Sequence, residues 1–137
     1  MRAGRKAPSD GTQCSSAWRI DEAGLIAAVQ TQGGETMAIV EVSVVPVGTA
    51  TPSVSQYVAA AVRVLQQQGE IEYETTAMGT ILDGDLDKIL AVVRVMHEVP
   101  FGAGISRVLT TIRIDDRRDK AQGMKDKVAS VTKRLQG

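Results

Sequence analysis

Hydrophobic residues along this chain recur at two spacings, every second residue in some segments and every third or fourth in others. The clearest segment is Met37–Val47, where alternation predicts a β-strand with one buried face. No comparable pattern precedes it. The segments from Met37 onward predict the order strand, helix, strand, strand, helix, strand, helix.

The first half of this region is bounded by glycine, proline and small polar residues. Pro52 opens the first helix, with Thr51 or Ser53 as its N-cap, and Gly69 ends it. The second strand is predicted over 71–77. A short third strand begins at Thr80, and the two strands form a hairpin.

The second half begins with a predicted turn over 83–85. A helix follows from Leu86 until Pro100 and Gly102 stop it. The fourth strand is predicted over 105–115, and Asp119 is expected to cap a last helix. That helix carries apolar residues at helical spacing: Met124, Val128, Val131 and Leu135.

This order predicts an α+β fold, the ferredoxin-like βαββαβ plait, with an antiparallel four-stranded sheet and one additional C-terminal helix. Two helices cover one sheet face. The other face mixes polar and apolar residues: Ile39, Glu41, Ser43, Glu72 or Glu74, Thr76, Arg107, Leu109, Thr111 and Arg113. A mixed face and a long apolar fourth strand predict self-association, first as a two-fold dimer and then as a dimer of dimers.

The composition excludes several classes of ligand and site. The net charge is +0 and aromatic residues make up 3% of the 137 residues, so no electrostatic or stacking footprint for nucleic acid or anionic membrane is present. Cys14 and His97 are the one cysteine and one histidine, which excludes an internal disulfide and a Cys/His zinc site. We expect a cytoplasmic protein without metal or cofactor.

Residues 1–36 differ from the rest in mixing glycine, proline, serine and charge without periodicity. This composition predicts a flexible N-terminal extension ahead of a domain over 37–137. The extension lacks the apolar core of a secretory signal. Its basic first nine residues leave an organelle-targeting peptide open as an alternative.

Four motifs each have a chemical and a structural interpretation. The loop over 46–49 is either a ligand-facing loop or an ordinary strand-to-helix connection. The carboxylates of Glu41, Glu72 and Glu74 either hold a cation or accept from an amine, or are solvated strand residues. His97 is either a general base or a residue favoured by the helix dipole. The charge run over 115–120 is either a partner site or a solvated turn. The structural interpretation is favoured in each case.

Several separated segments resemble one known family. EVSVVPVGT, SVSQYVAAAV, YETTAMGTILDGDLDKILAVV, the HE pair and RVLTTIRIDDRRDK occur in this order between Met37 and Gly137. They are similar to the small thiamine-binding proteins, which share the YkoF-like domain. The resemblance implies a ferredoxin-like domain with an added helix, dimers with a continuous sheet that pair into tetramers, and binding of thiamine or its aminopyrimidine part without known catalysis.

We therefore predict a non-enzymatic, oligomeric protein with thiamine as ligand. Thiamine needs polar partners for its aminopyrimidine edge and walls for its rings. The predicted polar partners are Glu41, Ser43, Thr49, Thr76 and Thr80, and the predicted walls are Tyr57, Met78 and Phe101. The alternatives are a regulatory or structural module for another small molecule or protein, and an enzyme with His97 or Glu74 as base.

Overall fold

The computed structural model of the protein describes residues 37–137. Its elements are β1 (Met37–Val47), α1 (Ser55–Gln66), β2 (Glu72–Thr75), β3 (Thr80–Asp85), α2 (Leu86–Gly102), β4 (Arg107–Asp116) and α3 (Met124–Leu135). The strands form one sheet in the order β2-β3-β1-β4, and every neighbouring pair is antiparallel. The predicted ferredoxin-like α+β fold is confirmed. The predictions for residues 1–36 lie outside the described residues.

Strand β1 lies at the centre of the sheet, and its sequence alternation decides which face is covered. Its even-numbered residues Ala38, Val40 and Val42 are buried beneath α1 and α2. Its odd-numbered residues Ile39 and Glu41 are half-buried on the opposite face, called here the open face. Successive side chains of a strand point to opposite faces, so the apolar positions alone determine this arrangement.

The two helices complete the core from one side. Helix α1 contributes Ala61 and Leu65, and α2 contributes a longer stripe. The buried cluster beneath the helices contains Ala38, Val40, Val42, Val44, Ala61, Leu65, Ile71, Leu82, Ile89, Val92, Val93 and Met96. The residues of α1 that precede Ala61 are half-buried or exposed, and none is fully buried, which leaves space between this end of the helix and the sheet.

The predicted cap of α1 was wrong. The N-cap residue is Val54, which has no side-chain cap. The Thr51 hydroxyl donates instead to the Ser53 carbonyl at 3.3 Å, and the Ser53 and Ser55 hydroxyls lie 3.2 Å apart. Short hydroxyl side chains bond neighbouring groups as readily as helix ends, and here the local bonds form.

The hairpin differs from its predicted boundaries. Strand β2 ends at Thr75 rather than 77, and β3 extends through the predicted turn over 83–85 to Asp85. The turn prediction was wrong because these three residues pair with residues 37–39 of β1. The Asp85 carboxylate then caps α2 by accepting from the Lys88 N–H at 3.0 Å.

Helix α2 continues through Pro100 and ends at Gly102, so the predicted stop at Gly102 is confirmed and the one at Pro100 was wrong. The proline is buried and lies in the last turn. Its carbonyl accepts from the N–H groups of Ala103 and Ile105, both at 3.1 Å. Pro100 thereby helps to close the helix end instead of preceding it.

Helix α3 begins at Met124 with Gly123 as N-cap, so the predicted cap at Asp119 was wrong. Asp119 instead forms a two-point ion pair with Arg117. The hydrogen bonds and charge of that guanidinium lower the pKa of Asp119 to about 2. Asp83 of β3 replaces the missing cap: its Oδ2 accepts from the Met124 N–H at 2.6 Å.

Glycine is required at 123 because a Cβ there would lie 2.6 Å from Asp83 Oδ2. Ion pairs of Lys125 with Glu72 and of Lys127 with Asp115 hold the same turn to the sheet. The first turn of α3 is therefore fixed by hydrogen bonds and charge.

The rest of α3 leaves its apolar stripe uncovered. Met124 is buried, but Val131 is 59% exposed and Leu135 is 82% exposed. Two isoleucines of β4, Ile112 and Ile114, are also exposed. Among the described helices, none has the length and apolar character needed to cross a bilayer.

Candidate functional site

A cavity of about 330 Å³ lies between α1 and one end of the sheet. It forms where β1 continues past the start of β3, beneath the half-buried part of α1. We call it the β1–α1 cavity. It is lined by Val42, Ser43, Val44 and Val45 of β1, Val54, Val58, Ala61 and Val62 of the α1 region, residues 75–80 of the hairpin, and Met96 of α2.

The hairpin turn at the cavity mouth is organised by Thr76. The Thr76 hydroxyl donates to the Gly79 carbonyl at 2.9 Å and accepts from the N–H groups of Met78 and Gly79 at 3.3 and 3.2 Å. Its main-chain N–H donates to the same carbonyl at 2.8 Å. A hydroxyl offers one donor and two acceptor sites, so all three are used within the turn.

Gly79 allows the turn to lie directly against β1. A Cβ at this position would come within 2.9 Å of the Val42 carbonyl oxygen. That contact also shows that the Val42 carbonyl points toward the hairpin. A glycine is needed here because main chain meets main chain without room for a side chain.

Pairing between β1 and β3 stops at Val42, which faces Thr80. On its other edge β1 remains paired with β4 as far as Val47. Residues two apart in a strand direct their N–H and C=O groups to the same edge. The N–H and C=O of Val44 therefore point, like those of Val42, to the β3 side, where the cavity takes the place of a strand.

Thr80 supplies a side-chain group at the same place. The residue is 4% exposed and lies on the helix-covered face opposite Val42. Its hydroxyl has no hydrogen-bonding partner among residues 37–137. The hydroxyl oxygen is not enclosed, since the buried side-chain atoms without a partner among the described residues are Asp83 Oδ1 and Asp116 Oδ1. It is therefore open to the cavity and available to a ligand or water there.

The structure brings together four of the residues predicted for the site: Ser43, Thr76, Met78 and Thr80 line the β1–α1 cavity. They differ in what they can offer. Thr80 has an available hydroxyl, whereas the Thr76 hydroxyl is committed to the turn. The Ser43 side chain shares the open face with Thr111, its partner in β4, so the residue reaches the cavity through its main chain.

The other four predicted residues lie outside this cavity. Glu41 is on the open face, where Arg113 donates to it at 2.8 Å. The Thr49 hydroxyl donates to the Thr51 carbonyl at 2.6 Å, within the loop before α1. Tyr57 is half-buried on α1 next to Val58, outside the lining.

Phe101 lies at the far end of α2, where its ring meets His97 edge to face at 5.4 Å. His97 Nδ1 is 2.7 Å from the Thr110 hydroxyl, so it links α2 to β4. Neither ring lines the cavity. The predicted position of His97 at the end of α2 was wrong, because the helix continues to Gly102 and its last turn carries no basic residue.

Other polar regions are less suited to a ligand. A hollow of about 390 Å³ lies between the C-terminal end of α1 and α2. Its polar side chains are exposed, and Lys88 pairs with Glu70 across it. Within residues 37–137, no group of histidine, cysteine, aspartate and glutamate side chains has the arrangement of a metal site.

Comparison with known proteins places the chain in a family. The family model described as thiamine-binding protein matches residues 40–132, which includes all of the sheet except the first three residues of β1, and most of α3. The chain belongs to the thiamine-binding protein family. One curated relative is YqgV of Bacillus subtilis. It is 48% identical over 103 residues, and the match covers 73% of this chain and 99% of YqgV.

An archaeal relative, from Methanothermobacter thermautotrophicus, is 45% identical over 100 residues, covering 72% of the chain and 100% of the relative. Among solved structures, the hypothetical protein MJ1052 of Methanocaldococcus jannaschii matches this family member with a TM-score of 0.66. It is 35% identical, and the match covers 71% of the chain and 97% of MJ1052.

A second solved structure shares the fold at lower identity. TM0486 of Thermotoga maritima, described as a candidate thiamine biosynthesis or salvage protein, matches with a TM-score of 0.58 and 18% identity. The match covers 69% of this chain and 98% of TM0486. The thiamine-binding protein fold is therefore found in bacterial and archaeal structures.

Sequence reasoning did not identify the apolar lining of the cavity. Val58 and Ala61 were assigned to the buried stripe of α1, and Val44 to the core face of β1. Their spacing is that of core residues. The available signal was the mismatch in strand length, because β1 extends five residues beyond Val42, the position that pairs with Thr80.

Proposed function

We propose that this protein binds thiamine, or the aminopyrimidine part of thiamine, in the β1–α1 cavity without catalysing a reaction. The family assignment supports a thiamine-related role. The cavity supports a small, flat ligand, because its walls are mainly aliphatic and its polar groups are concentrated at the end of β3. A cytoplasmic location is part of the same proposal.

One observation carries the proposal: the hydroxyl of the buried residue Thr80 and an unpaired strand edge of β1 meet in one cavity. An aminopyrimidine presents an amino donor next to a ring-nitrogen acceptor. The C=O and N–H of Val44 lie on the same strand edge and are complementary to that pair. The Thr80 hydroxyl lies at the end of this edge and provides a third polar contact.

Direct titration tests the proposal. Calorimetry of the purified full chain with thiamine, and separately with hydroxymethylpyrimidine, should give saturable heat with one site per chain. A thermal shift should accompany it, because a ligand that binds only the folded state raises stability by mass action. Neither heat nor thermal shift at millimolar ligand would contradict the proposal.

The substitution Thr80→Val tests whether the Thr80 hydroxyl contributes to binding. Valine keeps the shape of threonine and removes a hydroxyl that has no protein partner, so the free energy of unfolding should change by less than about 1 kcal/mol. Affinity for hydroxymethylpyrimidine should fall, up to about tenfold, through the lost hydrogen bond. Thr111→Val on the open face is the matched control and should bind normally. Equal affinities of the two variants would remove Thr80 from the site.

We also propose that the protein is a homo-oligomer, a dimer of dimers. Strand β4 is an edge strand, and a two-fold axis beside it would pair two copies antiparallel into a continuous sheet. The same contact brings together the exposed Ile112 and Ile114 of both copies. The uncovered stripe of α3 provides further apolar surface for a second copy.

Light scattering after size-exclusion chromatography tests this assembly. The unmodified chain should have the mass of a tetramer. Val131→Asp places a charge in the exposed stripe of α3 and should reduce the mass, whereas Ala129→Asp, on the same exposed helix but outside the stripe, should not. A monomer at all concentrations up to about 100 μM, the range in which weak interfaces form, would contradict the assembly.

A further inference from the structure

Met78 is the most exposed methionine in the part of the chain that the structure describes. Its side chain is 84% exposed, against 46% for Met37, whereas Met96 and Met124 are 2% and 8% exposed. An oxidant must reach the sulfur of a methionine to react with it, so exposure decides which thioether is oxidised first. A peroxide in solution therefore reaches Met78 before the other methionines of residues 37–137.

The position of Met78 connects this sulfur to the candidate site. Met78 lies in the hairpin turn and lines the mouth of the β1–α1 cavity, whose walls are mainly aliphatic. Its main-chain N–H donates to the Thr76 hydroxyl at 3.3 Å, and the adjacent Gly79 lies against the Val42 carbonyl. The turn thus fixes the main chain of Met78, while its unbranched and flexible side chain can fold over a molecule in the cavity.

We infer that Met78 is a site of reversible oxidation, where a peroxide converts the thioether to a sulfoxide and weakens ligand binding in the cavity. The effect on binding rests on the proposed function, whereas the oxidation does not. In this step the sulfur lone pair attacks one peroxide oxygen, and the S–O bond forms as the O–O bond breaks. Sulfur gives up a pair of electrons, and the second oxygen leaves with the proton of the transferred oxygen as water.

The sulfoxide should cover the cavity less well than the thioether. A thioether packs on a flat ring through its methyl group and its polarisable sulfur. The S=O group is polar and hydrated, so folding it onto an apolar wall removes its water without supplying a partner. A thiol-dependent sulfoxide reductase reverses the change, because the sulfoxide oxygen leaves as water while the thiols are oxidised to a disulfide.

Peptide mapping by mass spectrometry locates the oxidation after brief treatment of the folded full chain with hydrogen peroxide. Met78 should be converted before Met37 and at least about tenfold faster than Met96, because a buried sulfur reacts only when the structure opens. Saturating hydroxymethylpyrimidine should slow the conversion of Met78 and leave that of Met37 unchanged. Equal conversion of Met78 and Met96 would overturn the assignment of the oxidation site.

Calorimetry with hydroxymethylpyrimidine before and after peroxide tests the effect on binding. The affinities of the unmodified chain and of Met37→Leu should fall about tenfold and be restored by a sulfoxide reductase. The affinity of Met78→Leu should not change on treatment, whatever its starting value. An equal loss in Met78→Leu would overturn the inference, as would full affinity of a chain whose Met78 is mapped as sulfoxide. Absence of binding by the untreated chain would overturn the proposed function and the effect on binding, while the peptide map still decides the oxidation site.

A permanent polar side chain tests the same effect without peroxide. Met78→Gln has about the length of methionine and an amide in place of the sulfur, and the high exposure of the position should let both variants fold. It should bind hydroxymethylpyrimidine about tenfold more weakly than Met78→Leu, which keeps an apolar side chain. Equal affinities of the two variants would show that polarity at the mouth does not control binding, and the inference would fail.

Discussion

Val58→Trp should weaken binding of hydroxymethylpyrimidine by about 100-fold or more, which corresponds to roughly 2.7 kcal/mol. Val58 lines the β1–α1 cavity from α1 and is half-buried, so an indole at this position occupies the space that the ligand needs. Tryptophan and valine have similar helix propensities, so α1 itself should be unaffected. Calorimetric titration of the variant and the unmodified chain measures the effect.

Val95→Trp is the matched control. Val95 is on α2, is 51% exposed and lies outside the β1–α1 cavity. The control should bind hydroxymethylpyrimidine as the unmodified chain does, and both variants should unfold within a few degrees of it. If Val58→Trp retains full affinity, the ligand binds elsewhere on the protein.

Leu82→Ala should lower the free energy of unfolding by about 2–5 kcal/mol. Leu82 is fully buried at 0% exposure, and it lies between Val40 of β1 and Tyr73 of β2 in the register of the sheet. Its removal opens a void beneath both helices, because the surrounding strands are held by their ladders and cannot collapse inward. Chemical denaturation followed by circular dichroism measures the change.

Leu90→Ala makes the same chemical change on the surface side of α2, where Leu90 is partly exposed. Its cost should stay within about 1 kcal/mol, since alanine favours the helix and little apolar surface is lost. Equal destabilisation by the two substitutions would mean that Leu82 does not occupy the centre of the core.

The fold could be predicted from sequence because its strongest signals are local and consistent. Alternation in β1 and helical spacing in α2 each identify one element, and their order leaves the ferredoxin-like plait as the simplest topology. The predicted range of β1 agrees with the structure at both ends. Its central position follows from its length and from its uninterrupted apolar face.

Element ends were less predictable because they depend on contacts distant in sequence. Asp83 and Gly84 have the composition of a turn, but their pairing with β1 keeps them in a strand. Asp119 has the composition of a cap, but Arg117 two residues away binds it. Tertiary and local ion-pair contacts outweigh intrinsic preferences of about 1 kcal/mol or less per residue.

The candidate site was predicted only in part, because it too depends on contacts distant in sequence. The resemblance to the family drew attention to the hairpin turn, and Thr76, Met78 and Thr80 do line the cavity. The prediction could not distinguish a hydroxyl that holds the turn from one that is available, since both are threonines. Glu41 and Phe101 were included for their chemistry, and the topology places them on other surfaces.

The cavity exists because β2 ends early and β3 starts late. In the register of the sheet, the position opposite Val44 belongs to residue 78, which the Thr76 turn withdraws from the ladder. A planar guest in the cavity therefore substitutes for one missing residue of a strand. A hairpin two residues longer on each arm would fill the gap with its own backbone, so a shortened hairpin is the structural condition for any guest there.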